Sequence, residues 1–208
     1  MVYGIGGLFI GVLLTLLVIS TTESNYGIMR MMGFGLNNNS STNNSGQNTM
    51  MGNIDRLFIE QMIPHHEDAI TMANIAMQKA QHPEIKTLAT NIKKTQSAEI
   101  LKMQDWYKNW YGVDVPADNT DTGMMGQMHG GMMGSNADST SLENASNFDK
   151  AFIEQMIPHH QMAVMMANML LSGTNRPEMK QLAKNIIDAQ TKEINEMRQW
   201  YIDWGYAQ

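Results

Sequence analysis

The chain has 208 residues, 43% hydrophobic and 16% charged, enough to bury one good core and short for two full domains. A formal charge of −6 and a pI near 5.4 argue against nucleic acid, which clustered Lys and Arg would hold, and suit a small cation as partner. Cysteine is absent, which excludes disulfides and thiolate sites, while methionine reaches 22 residues, roughly four to five times ordinary usage, and is the soft donor the chain retains.

Residues 1–22 carry no charge, and Ile5 to Ile19 is almost wholly apolar, so this segment is read as directed to a membrane. It has about the minimum length to cross a bilayer, lacks the Lys or Arg that normally opens a signal peptide, and offers only Val18-Ile19-Ser20 for cleavage. A cleaved signal and an anchor over residues 3–20 both stay open. Either implies export, and an oxidising compartment suits a chain without cysteine. Arg30 is the nearest basic residue, so orientation is weakly set.

Residues 23–53 turn to Asn, Ser, Thr and Gly and are expected to form a flexible spacer. Two repeats follow, over 54–112 and 148–208, separated by a second flexible segment, 113–147. The nonapeptide from Phe58 to His66 returns unaltered from Phe152 to His160, and between Asp55–Tyr111 and Asp149–Gly205 the offset stays constant, with 28 of 57 aligned positions identical. The chain is a tandem duplication.

Each repeat reads as two helices. The first runs from about Asp55 to Ala80, with Phe58, Met62, His66, Ala69, Ala73 and Met77 recurring at three and four residues. Pro64 should break this helix or kink it just before the histidines. The second begins at Pro83, with Glu84 in its first turn, and runs to Trp110. Its stripe is Ile85, Leu88, Ala89, Ile92, Gln96, Glu99, Ile100, Met103, Trp106 and Trp110. Gln96 and Glu99 interrupt that stripe, as Gln190 and Glu193 do in the second copy; a buried amide and carboxylate need partners, so both are expected to reach across to His65 or His66. One hairpin cannot bury both faces, but two give four antiparallel helices around one core, an all-α four-helix bundle. Pairing of hairpins between chains would instead give a dimer.

Methionine on a helix is ordinarily core filler, and a lone buried histidine is ordinarily structural. Two observations favour ligands here. The glycine-rich stretch holding Met124, Met125, Met128, His129, Met132 and Met133 cannot bury its side chains and offers thioethers and an imidazole to a soft ion. The histidine pair is reproduced with methionine on its face: Met62 and Met72 beside His65 and His66, and Met156, Met162, Met165 and Met166 beside His159 and His160. The alternative is a core hydrogen-bond network of these histidines with Glu99 and Glu193. Adjacent residues on a helix diverge by about 100°, so the members of each pair are expected to have different jobs. Thioether with imidazole favours Cu(I), and Ag(I) by the same logic, over Zn(II). With an unperturbed imidazole pKa near 6.5, protons would compete at the histidines between about pH 7 and pH 5 but not at sulfur.

The run Phe58 to His66, then Met72-Ala73, Pro83-Glu84, Gln96, Glu99-Ile100, Met103 and Trp106, resembles the domain of unknown function 305 family, twice over. The whole arrangement resembles the CopM-type copper-binding proteins of the periplasm. That resemblance implies a ferritin-like helical bundle that binds Cu(I) and Ag(I) through His and Met, with Met62, His65, His66, Met156, His159 and His160 in its Met-x-x-His-His motif and Glu99, Met103, Glu193 and Met197 facing inward. The expected function is sequestration or hand-on of Cu(I) in copper resistance, without catalysis, organic cofactor or nucleic acid, and with a copper-handling protein as a further partner. Two other classes are kept beside it: a ferritin-like metal oxidase or hydrolase using His with Glu, and a membrane-tethered interaction module. No Glu-x-x-His motif of a di-iron centre occurs at the histidine pairs, because Glu60 precedes His65 by five residues.

Overall fold

The computed structural model describes residues 46–116 and 139–207, with side chains from Ile54 onward. Among the described residues five helices are formed: α1 (Gly46–Lys79), α2 (Pro83–Tyr111), α3 (Ser139–Glu143), α4 (Phe148–Gly173) and α5 (Pro177–Asp203). The bundle is all-α. α1 pairs with α2 and α4 with α5, each joined by a short turn, and the hairpins meet along α1 and α4. Among the described residues no helix is long and apolar enough to cross a membrane. Residues 1–22, with the anchor expected over 3–20, and the linker donors Met124, Met125, Met128, His129, Met132 and Met133 lie outside the described residues.

Local chemistry sets most helix ends. Pro83 and Pro177 open α2 and α5 after residues in extended conformation, so the missing proline N–H costs nothing there. Asn147 caps α4 by accepting from the Lys150 amide, and Gly112 closes α2 in the left-handed conformation at φ 73°, donating to Lys108 O.

Three boundaries differ from those expected. α1 begins at Gly46, inside the segment read as spacer, and the short α3 stands inside the segment read as linker, held by a fully buried Leu142. Polar composition misplaced both ends because one apolar residue suffices to dock a short turn, and because a helix already anchored downstream propagates at little cost. Neither proline breaks its helix: α1 continues through Pro64 and α4 through Pro158. Phe58, Ile59, Met62 and Ile63 before Pro64, and His65, His66, Ala69 and Met72 after it, are all buried. Packing on both sides outweighs the roughly 3 kcal/mol that an internal proline costs.

The core divides into two clusters related by an approximate two-fold axis. One joins Phe58, Ile59, Met62, Met103 and Tyr107 of the first hairpin to Met166, Leu170, Met179 and Ile186 of the second. The other joins Met72, Ile85, Leu88 and Ile92 to Phe152, Ile153, Met156 and Met197. The beginning of α1 thus lies against the end of α4, and the reverse, as antiparallel neighbours require.

The axis also relates two clasps. Asp149, 2% exposed at the start of α4, accepts from the backbone amides of Gln81 and His82 and lies 2.6 Å from His82 Nδ1, closing the turn of the other hairpin. Asp55 takes the matching position on α1 and meets the Arg176 side chain, Nε at 3.2 Å. His82 stacks on Trp204 at 3.7 Å, and the Arg176 guanidinium sits 3.9 Å over Trp110. Glu60 and Glu154 of the repeated nonapeptide accept from the hydroxyls of Tyr107 and Tyr201, at 2.5 and 2.6 Å. Tyr107 is fully buried, and burial first, then the Glu60 carboxylate, pushes its phenol up to about 12.

Candidate metal centre

Between the two clusters, at mid-height of the bundle, lies a polar layer built from both copies of the histidine pair. Four imidazoles form a row across α1 and α4. His66 and His65 have ring centroids 6.4 Å apart, His65 and His159 meet across the axis at 3.8 Å, and His159 and His160 are 6.2 Å apart. Each end of the row finishes on a carboxylate of the hairpin's second helix: His66 Nε2 lies 2.8 Å from Glu99 Oε2, and His160 Nε2 lies 2.7 Å from Glu193 Oε2. The two histidines of a pair therefore do different jobs. The second is held by its own hairpin, and the first turns toward the other hairpin.

The inner end of this layer is short of partners. His66 Nδ1 and His160 Nδ1 find no hydrogen-bond partner within the protein, nor does either ring nitrogen of His159, although all are sealed from solvent. Gln96 and Gln190, each 3% exposed, leave their carbonyl oxygens in the same state, so the partner expected for Gln96 across the hairpin is not met at that atom, whereas Glu99 and Glu193 reach His66 and His160. Buried orphan atoms cost about 1–3 kcal/mol each and are few in native folds. A row of them around imidazoles is a place that a bound ligand could satisfy. A cation would satisfy lone pairs that no donor of this chain reaches.

The Glu contacts also favour one tautomer. A carboxylate beside Nε2 takes its N–H and leaves the lone pair on Nδ1, the arrangement by which outer carboxylates orient metal-bound histidine. His159 stays neutral for another reason: burial first, then neighbouring His160 and His66, lower its pKa to about 3, while the nearby His65 backbone opposes them weakly. The ordinary value near 6.5 does not apply to this ring. The one unprotonated nitrogen of this neutral ring keeps its lone pair well below neutral pH.

The thioethers stand on either side of the row. Met62, Met103 and Met166 are buried in one cluster with half-buried Met162 packed against them, and Met72, Met156 and Met197 are buried in the other. Met165 is half-buried on α4. Among the described residues no three His, Asp or Glu side chains gather as one ligand set. The helices thus carry thioethers three and four residues from the imidazoles, and both are donors suited to a soft ion of low coordination number. Sequence reasoning found the paired histidines and the Glu partners but missed the contact between His65 and His159, which depends on how two hairpins cross. It also missed Tyr107, buried in the first cluster with its hydroxyl satisfied by Glu60.

The sequence profile described as Domain of unknown function (DUF305) matches residues 55–201, from the first aspartate of one repeat to the tyrosine near the end of the other. The chain belongs to the DUF305 family. Among solved structures it is similar to CopM in the Cu(I)-bound form, with 48% identity and a TM-score of 0.62 over 73% of this chain and 97% of that one. It is likewise similar to CopM in the Ag-bound form obtained by co-crystallisation, at 48% identity and a TM-score of 0.61 over 73% and 97% of the two chains. A DUF305 fragment from Deinococcus radiodurans is 27% identical with a TM-score of 0.59, covering 70% of this chain and 93% of that one. An uncharacterised protein of Acanthamoeba polyphaga mimivirus is 49% identical over 49 residues, so the DUF305 chain spans about a third of that curated relative (32%) and the match covers 24% of its own length.

Proposed function

We propose that this DUF305 protein is a copper-binding protein that takes up Cu(I), and Ag(I) by the same chemistry, through imidazole and thioether side chains at the middle of its bundle. The observation that carries the reading is the contact of His65 with His159 between two methionine clusters, with the ring nitrogens of His159 buried and without a partner in the chain. The similarity to CopM, solved with Cu(I) and with silver, supports the choice of metal. At a centroid separation of 3.8 Å the two rings touch, tilted by 40° to one another. A metal–nitrogen bond is about 2 Å, so an ion between two facing nitrogens requires the rings to turn.

In this reading the ion is cargo, held and handed on in copper resistance by an exported protein that performs no catalysis. The apolar residues 1–22 are its route of export, and the linker methionines with His129 are a second, sulfur-rich reservoir. A copper-handling protein would deliver or receive the ion. The test is competition for Cu(I) against a chromogenic chelator, with metal analysis of the purified full chain. Several Cu(I) or Ag(I) ions are expected, fewer and weaker in a variant with His65, His66, His159 and His160 all changed to Ala. An unchanged number and affinity in that variant would make the histidine row structural.

A further inference from the structure

The approximate two-fold axis makes the two methionine clusters look equivalent, and at the level of the histidine row one substitution between the repeats makes them unequal. α1 and α4 run antiparallel and cross where His65 meets His159. Three residues back along α1 is Met62, and three residues on along α4 is Met162; both steps lead the same way from the crossing, by about 4.5 Å at 1.5 Å per residue. α2 is antiparallel to α1, and Met103 stands four residues beyond Glu99, the residue that touches His66. That step leads the same way by about 6 Å. Met62, Met103 and Met162 therefore stand at one level beside the histidine row, and all three belong to or pack against one cluster.

On the other side of the row the equivalent positions are Met156, Met197 and Asp68. Asp68 lies three residues after His65 and four before Met72, so it shares their face of α1, and it is half-buried. Met72 and Met166 occupy the next turn outward in the two pockets. One pocket thus sets three thioethers beside the imidazoles, and the other sets two thioethers and a carboxylate.

We infer that the two pockets fill in order, the Met62–Met103–Met162 pocket first and the Met156–Met197–Asp68 pocket second, so that a single methionine for aspartate exchange between the repeats grades the protein's affinity for soft ions. The inference rests on the proposed function. A soft monovalent ion bonds sulfur in preference to a hard carboxylate oxygen. The charge of Asp68 attracts any cation, but at a half-buried position that attraction is screened and is not selective for soft ions.

The test follows the methionine methyl groups of the full chain, labelled with carbon-13, by NMR during titration with Ag(I). Resonances are assigned by substituting single methionines. The methyls of Met62 and Met103 should respond at lower Ag(I) than those of Met156 and Met197, with apparent affinities at least about tenfold apart. Asp68→Met should bring the second pocket level with the first, Met162→Asp should abolish the lead of the first, and Asp68→Asn, which removes charge without adding sulfur, should leave the order as it was. The Met179 methyl, buried at the far end of its cluster, reports that each variant is folded. Parallel response of both pockets in the parent, or equalisation by Asp68→Asn as complete as by Asp68→Met, would overturn the inference. Silence of every buried methyl while other methionines respond would instead refute the proposed function.

Discussion

The low pKa of His159 has a direct thermodynamic consequence for the metal-free protein. In the unfolded chain this imidazole titrates near 6.5, and in the bundle it titrates at about 3. Between those values the unfolded state binds a proton that the folded state does not, so stability falls as pH falls from about 7 and the loss levels off below about 3. At pH 5 the unfolded imidazole is almost fully protonated and the folded one is not, which amounts to about 2 kcal/mol lost relative to pH 7. For a chain of this size that corresponds to a fall in Tm of about 4–8 °C. Other groups titrate over the same range, so the measurement is a difference: thermal and urea unfolding at pH 7 and pH 5, with metal removed, for the parent and for His159→Asn. The variant should lose about 2 kcal/mol less than the parent between the two pH values. Identical pH dependence in both would show that the ring is solvated in the fold and that the buried row has been misread.

Four further outcomes are expected. Ag(I) binding by the buried methionines and His159 should persist from pH 7 to pH 5, because protons do not compete for a ring that titrates near 3; loss of this fraction by pH 5, measured by titration at both values, would contradict it. Glu99→Ala removes the partner of a fully buried imidazole and should destabilise the metal-free fold by about 1–3 kcal/mol, whereas an unchanged melting temperature would mean the contact is absent in solution. Asp149→Ala strips the acceptor from two backbone amides and His82 and should cost at least as much, read by urea unfolding at neutral pH. In competition dialysis Zn(II) should bind far more weakly than Ag(I), and Zn(II) held as tightly would defeat the thioether assignment.

The sequence carried the layout of the bundle because its signals are local. Stripes such as Phe58, Met62, His66 and Ala69 need only helical periodicity, and Pro83 and Pro177 mark helix starts by their own chemistry. The Glu99 contact was legible because a carboxylate inside an apolar stripe has few ways to be satisfied. What stayed hidden is what one hairpin does to the other. Nothing near His65 in the sequence says that it will meet its own duplicate, and nothing near Asp149 says that it will close the turn at Gln81 and His82, some 67 residues away. Of the break and the kink expected at Pro64, the break does not occur, since the packing that tolerates a proline comes from residues distant in the chain.

The reciprocal clasps reach beyond stability. Each hairpin carries an aspartate that reaches its neighbour's bend, Asp55 the Arg176 side chain and Asp149 His82 with two backbone amides, so each is held in part by the other. Encoded singly, such a hairpin would have to find another of its kind, and its assembly would depend on dilution. Joining two copies in one polypeptide turns that encounter into an intramolecular event, and effective concentrations within one chain reach about millimolar. It also frees each copy to diverge without the other having to follow. A homodimer would be obliged to place Met or Asp on both sides of its axis at once, whereas the fused chain holds Met162 on one side and Asp68 on the other.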